Sequence, residues 1–559
     1  MLSRVSRCGI SYVPDAYGRT THGIVGRQSA GREFLRAFAL AKRAEGYRCV
    51  AATPDDFSAF CEQIAEFGGD PAAAYHIGVN DIDAIARLGT LYWPDPVLGR
   101  LAWMRRSLRD DAYSLCGVTH TLSESGVIAG LQDLLVAPLQ PWDALVCTSQ
   151  AARRSVRAIL DDFADYLEER TGARSAMPAQ LPVIPLGVDA ARFERTDARA
   201  AAGRVLRRQL GIADSAVVGL YFGRFNFLTK AHPTPLFMAF REAAAATPGV
   251  DLHLLMAGQF VNPLVEAEFR ALAQAYCGDV PISWIDGRDP ASSEASWAAA
   301  DLFVSLPDNL QETFGMTVLE AMAASLPCVV SDWSGLRESV VDGETGYVVP
   351  TCMPSARESD MVLTRAAFGV ESFDDSIAAL NQVVAVDIGV AARRIAALAA
   401  SAELRRRLGR AGLARVVGDY DWTAILAQYQ ALWDELAAIR LQAARSTSGR
   451  PPLTQFGLSD PFHAFGHFAT AQLAPTSVVR CVAATTAAQL TELRAHPSHA
   501  MLLPLLLTPA DLAALVAAIA RNGSATVIQL ETAFGHLRRE KVALSLLWLF
   551  KFGVVNIEY

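Results

Sequence analysis

Residues 305–350 read SLPDNLQETFGMTVLEAMAASLPCVVSDWSGLRESVVDGETGYVVP, and this stretch restricts the fold more than its length suggests. It begins at the end of an apolar run, Asp301-Leu-Phe-Val-Ser305, short and apolar enough for a buried strand. A polar loop follows at 307–311. From 316 to 324 the apolar residues Met316, Leu319 and Ala323 recur at helical spacing. Pro327 restarts a strand at 328–331, Gly335 opens a second helix, and Gly343 and Gly346 bracket a turn before a last strand at 346–349. Strand, loop, helix, strand, helix, strand is the grammar of a parallel sheet with helices on its faces, so the fold class is α/β.

Such sheets hold ligands past the carboxyl ends of their strands, at helix N-termini. Gly315 lets backbone approach a ligand closely. The N–H groups of Met316, Thr317 and Val318 are expected to face an anion, which the helix dipole favours there. Glu312 stands just before this helix and Glu320 inside it. A carboxylate beside a phosphate is electrostatically poor, so both are expected to accept from sugar hydroxyls flanking a diphosphate at the helix end. A nucleotide-sugar has that layout. The spacing of the two glutamates alone is also what an acidic helix yields, with Glu320 on a solvated face and Glu312 a plain loop carboxylate.

Taken with Phe314-Gly315, AMAASLPCVVSD and DGETGYVVP, the stretch resembles the retaining glycosyltransferases of family 4. These have the GT-B fold, two Rossmann-like parallel-sheet domains facing a cleft. The resemblance runs from about residue 5 to about 436. It implies an acceptor-side domain at 1–189, braced by a return helix at 419–444, and a nucleotide-sugar donor domain at 190–418. The boundary is set by Ile184-Pro-Leu-Gly-Val-Asp189, similar to the family's interdomain hinge. Ser325 stands where family members often have glycine.

The chain has 559 residues, too many for one core. Its net charge of −8 argues against nucleic acid as a partner. Arg153, Arg154 and Arg157, and Arg405 to Arg407 with Arg410, read as solvated helix faces. Nine cysteines lack any paired spacing, as reduced thiols of a cytoplasmic protein would. The most apolar window, 500–520, is interrupted by Pro504, Pro509 and Asp511, so no membrane span is expected. The expected location is cytoplasmic, with peripheral contact at the inner face of a membrane left open.

Read in order, 5–13 is a first strand, followed by a glycine-bearing loop at 18–31 and a helix at 32–45. The loop is neither a Walker A loop nor a dinucleotide fingerprint, and taken alone it is equally a surface turn. The resemblance places it near the diphosphate and the acceptor. The family's adjacent glycine pair is absent, and Gly23 and Gly26 are the candidates. Thr119-His120 ends a strand. A lone histidine is more often structural, but the resemblance implies that His120 meets the donor sugar near the reaction centre. Gly223-Arg224 and Lys230 lie on one loop after a strand. Two cations so placed suit a diphosphate leaving group or, equally, a soluble surface; the resemblance implies the first. The loop at 284–288 is where the family reads the base. Helices are expected at 376–399, broken at Gly389, then at 403–417 and 422–444.

Beyond a linker at 446–452 the resemblance stops. Residues 505–559 read as three helices and a strand, a winged-helix-like module within 445–559, expected to serve protein contact or dimerisation. His463 and His467 lack any further metal ligand. The resemblance implies a hexosyltransferase with His120, Arg224, Lys230 and Glu312 catalytic. Gly23, Gly26, Phe314, Gly315, Met316, Thr317, Val318 and Glu320 would bind substrate. No metal or other cofactor is expected; the partners are a nucleoside-diphosphate sugar and a hydroxyl acceptor on a sugar, lipid-linked sugar or protein. The alternative is an inactive GT-B scaffold acting through its C-terminal module.

Overall fold

The computed structural model describes residues 8–18, 26–41, 46–444 and 460–559. They belong to two compact units, Met1–Gln455 and Phe456–Tyr559.

The first unit holds two six-stranded sheets, parallel throughout. One runs Ala74–Gly78, Tyr47–Ala51, Cys8–Ser11, Thr90–Tyr92, Ser114–Val118, Ala144–Val146. The other runs Gly346–Val349, Cys328–Ser331, Leu302–Ser305, Val217–Phe225, Leu252–Phe260, Ile282–Asp286. Both have the Rossmann order, in which the first and fourth strands of each half lie side by side and the chain switches direction between them. Two such domains facing a cleft are the GT-B architecture. The strands are near-continuous apolar runs because helices cover both faces of each sheet.

The first helix is Gly26–Leu40, so it starts before residue 32 and takes in two glycines expected in the loop. Gly31 is admitted because a Cβ there would lie 2.1 Å from the Ala16 carbonyl oxygen, where the helix packs on the turn Pro14–Tyr17. Residues 376–399 are not one helix broken at Gly389. Helix Phe373–Asn381 ends before a two-residue strand, Ala385–Val386, which pairs with Thr351–Cys352; Gly389 lies inside the next helix, Ile388–Ala400. A further helix, Asp360–Ala367, precedes them. Helix Trp422–Ala444 returns to the first sheet and buries Tyr429, Trp433 and Leu436 against Phe34 and Tyr92.

Arg105 and Asp143, both fully buried, pair at 2.5 Å. Asp143 also accepts from the N–H groups of Leu115 and Gln140, so the pair fixes the start of strand Ser114–Val118, which carries His120 at its far end. Losing one partner of such a buried pair costs about 3–5 kcal/mol. The sheet domains also bond to each other. Arg192 pairs with Glu33 at 2.8 Å, next to an Arg36–Asp189 pair at 2.6 Å that holds the hinge residue to the first domain. The Glu338 carboxylate accepts from the Gln150 and Ala151 N–H groups at 2.7 and 2.8 Å, capping the 22-residue helix Gln150–Thr171 from the opposite domain.

The second unit is a helical module with its own core. Helices Pro509–Asn522, Val527–Ala533 and Arg539–Lys551 and strand Val555–Glu558 stand close to where the sequence puts them. The middle strand of its three-stranded sheet is Val478–Cys481, upstream of the stretch read as the module. Four residues, even after the turn at Pro475 and Thr476, give too short a run to mark it. Among the described residues no helix is long and apolar enough to cross a membrane.

Candidate active site in the interdomain cleft

A cleft of about 820 Å³ opens between the two sheet domains. The wall on the side of the second sheet is built from three strand ends and one helix start. Strand Val217–Phe225 runs through Arg224, which stands beside the cleft at its carboxyl end. Among the described residues the Arg224 guanidinium has no hydrogen-bond acceptor. Burial lowers its affinity for the proton while Glu312 and Tyr221 oppose that shift. The turn after it is tied by Asn226, whose side-chain oxygen accepts from the Leu228 and Thr229 N–H groups, and Lys230 closes it. Lys230 Nζ then lies 2.8 Å from Glu312 Oε2.

Glu312 precedes helix Met316–Ala323. Burial pushes its carboxyl up, but Lys230 and the N–H groups of Phe314 and Gly315 more than offset that, leaving it below the ordinary carboxylate range. It is ionised and held by three partners, Lys230 and the two N–H groups. Gly315 adopts φ 84°, ψ 63°, a left-handed conformation open to glycine at little cost, and a Cβ would also press on Leu336 at 3.0 Å. The Met316 and Thr317 N–H groups have no acceptor among the described residues and line the cleft. Val318 departs from expectation. Its N–H donates to the Gly315 carbonyl at 3.0 Å and its side chain is fully buried, because the left-handed turn at Gly315 brings that carbonyl back under the first helical turn. Phe314 is buried but touches the cleft.

Glu320 lines the cleft one turn deeper. Burial pushes its carboxyl up to about 7, with Arg192 pulling down and Glu33 pushing up. Opposite, His120 follows strand Ser114–Val118, and its carbonyl accepts from the Thr313 hydroxyl at 3.1 Å across the cleft. Burial and then Arg27 push the His120 imidazole down to about 4, against a hydrogen bond with the Pro94 carbonyl, so it is neutral near pH 7. Gly26 lines the cleft as the first residue of its helix, but a Cβ there would meet nothing within 4 Å. Gly23 lies outside the described residues.

The loop at 284–288 presents backbone to the cleft and turns its large side chains away from it. Trp284 packs against Phe225 and Phe260 with Arg270 over its ring, and Arg288 pairs with Asp286 in solvent. Only Gly287 of this loop reaches the cleft. Gly223, Gly258 and Gly287 form a bare track there, at the ends of three neighbouring strands. A Cβ at Gly258 would lie 1.8 Å from the Gly223 carbonyl oxygen. Sequence reasoning missed this track. Its signal is a glycine at the carboxyl end of each of three successive apolar runs. Among the described residues no group of three or more His, Cys, Asp or Glu side chains is placed to hold a metal ion.

Residues 204–360 match the family model described as glycosyl transferases group 1. A D-inositol 3-phosphate glycosyltransferase of Geodermatophilus obscurus is 28% identical over 371 residues, 64% of this chain and 69% of the relative. One from Corynebacterium efficiens is 31% identical over 297 residues, 51% of this chain and 64% of the relative. Among solved structures, sucrose-phosphate synthase from Thermosynechococcus elongatus is similar with a TM-score of 0.48 at 18% identity, covering 78% of this chain and 100% of its own. HepE of Anabaena, solved with UDP and glucose, has a TM-score of 0.47 at 14% identity, over 76% of this chain and 98% of its own.

Proposed function

We propose that this chain is a retaining hexosyltransferase. It takes its sugar from a nucleoside-diphosphate donor and delivers it to a hydroxyl on a sugar, a lipid-linked sugar or a small molecule. Glycosyl transfer is carried by the family match over 204–360 and by relatives that bear that activity in their names. The finer reading rests on one observation above the others: the Arg224 guanidinium, without an acceptor among the described residues, shares a cleft wall with Lys230 and with the Met316 and Thr317 N–H groups, which also have none there. That wall is a seat for a diphosphate, with a bidentate cation, a point charge and a helix N-terminus.

The bond that breaks joins the anomeric carbon to the donor's terminal phosphate oxygen. Arg224, Lys230 and the two N–H groups stabilise the charge that develops on that oxygen. Glu312 is held by Lys230 and two backbone donors, which suits it to orient sugar hydroxyls and not to attack carbon. The acceptor oxygen therefore bonds to the anomeric carbon from the face the phosphate leaves, and its proton passes to the leaving phosphate. Neutral His120 orients the sugar from the other domain, and Glu320 accepts from the ribose.

The reading is tested by a thermal-shift screen against UDP, GDP and ADP and their sugars, with and without EDTA, followed by a transfer assay with the stabilising donor. One nucleotide should stabilise the protein irrespective of EDTA, and E312A and K230A should each lower turnover by at least about a hundredfold while melting like the parent. Parent-like rates in both variants would overturn the assignment.

A further inference from the structure

The two loops that carry Lys230 and Glu312 are bolted together by a residue outside the family match. That match ends at residue 360, and helix Phe373–Asn381 follows it. Asn381, its last residue, is 2% exposed. Its side-chain oxygen accepts from the Leu310 N–H at 3.0 Å, and its side-chain nitrogen donates to the Leu228 carbonyl at 3.2 Å. Leu228 stands two residues before Lys230, and Leu310 two residues before Glu312. Asn309, fully buried, adds a second bond to the Leu228 carbonyl at 2.7 Å, and Gln382 reaches the Phe227 carbonyl at 3.4 Å.

We propose that Asn381 is a positioning residue for the diphosphate seat, setting the lateral separation of the Lys230 and Glu312 loops through its two hydrogen bonds. This rests on the reading of Lys230 as a ligand of the donor diphosphate. Neither loop has a strand ladder to fix where its tip lies, and besides the Asn bonds the His232 N–H donates to the Asp308 carboxylate between them at 3.1 Å. A side-chain amide supplies a donor and an acceptor from two separate atoms, one to each loop, whereas a hydroxyl offers both from a single atom and an apolar side chain offers neither. A buried amide satisfied at both ends also specifies one arrangement, because the alternative leaves polar groups unpaired. Asn381 touches no substrate in this scheme; it acts through Lys230 and Glu312.

The probe is inorganic pyrophosphate, which carries the diphosphate without a base, titrated calorimetrically into the full chain. The set is the parent, K230A, N381L, N381D and S376A. Ser376 is buried on the same helix and donates to the Ser372 carbonyl, touching neither loop, so S376A reports general damage to the helix. N381L should weaken pyrophosphate binding by about tenfold, and N381D, which keeps an acceptor for Leu310 but sets a carboxylate oxygen against the Leu228 carbonyl, by at least as much. S376A should bind as the parent does. N381D carries the test if N381L does not fold. Parent-like affinity in both Asn381 variants, or an equal loss in S376A, overturns the inference. If K230A binds as tightly as the parent, the seat is misassigned and the inference falls with it.

Discussion

At Glu320 the demands of folding and of binding pull apart. Burial holds its carboxyl at about 7 against an ordinary 4.5, so between these values the folded chain binds more protons than the unfolded one. The sign follows: the favourable term is complete at low pH and is lost as pH rises through that window. E320Q removes the titration. Its Tm relative to the parent should therefore rise by roughly 2 °C between about pH 5 and about pH 8. A difference that stays flat across that range would mean Glu320 is solvated and ordinary. His120 shifts the other way, and its neutral imidazole should add no inflection near 6.5 to a pH–rate profile. The paired Lys230 and Glu312 show why sequence could name both residues and not their relation. Each was read as a ligand contact, and their 2.8 Å bond depends on two loops 82 residues apart.

At the scale of elements, helix Met316–Ala323 has a left-handed residue at each end. Gly315 opens it and Ser325, at φ 60°, follows its end. The Ser325 N–H bonds to the Met322 carbonyl and the Leu326 N–H to the Ala321 carbonyl, the paired closure that usually takes glycine. A serine there pays a conformational penalty that glycine avoids. S325G should raise the unfolding free energy by roughly 0.5–1 kcal/mol in urea melts, with turnover unchanged. A destabilised S325G would show that the serine makes a contact worth more than its strain. The departure from the family pattern was visible in sequence, but its cost became readable only with the φ angle.

For the whole molecule, closure of the cleft is written in contacts between the sheet domains. The Glu338 carboxylate caps the helix Gln150–Thr171, and the Thr313 hydroxyl reaches the His120 carbonyl beside it. A capping carboxylate at a helix N-terminus contributes about 1 kcal/mol, comparable to the energies that separate open from closed domain arrangements. E338A should therefore have a larger radius of gyration by small-angle X-ray scattering without ligand, and return to the parent value with saturating nucleoside diphosphate. Identical scattering of the two free proteins would remove Glu338 from the control of closure.

The sequence by itself determined the alternation of apolar runs and helices, and so an α/β fold with parallel sheet; that there are two such sheets was what the family resemblance implied. It also determined that the ionisable residues Arg224, Lys230, Glu312 and His120 fall at strand ends and in the loops after them, with Glu320 one turn inside a helix. Those are properties of short windows, where hydrophobic period and turn residues act locally. Tertiary structure decided what depends on distance in space. Lys230 and Glu312 neutralise each other, and Val318 gives its N–H to Gly315 and not to a ligand. Gly223, Gly258 and Gly287 align into one track because three strands stand side by side. Asn381 and Glu338 each join segments far apart in the chain. Hydrogen bonds and charge pairs of that kind follow from how the sheets and helices pack, and no local pattern encodes the packing.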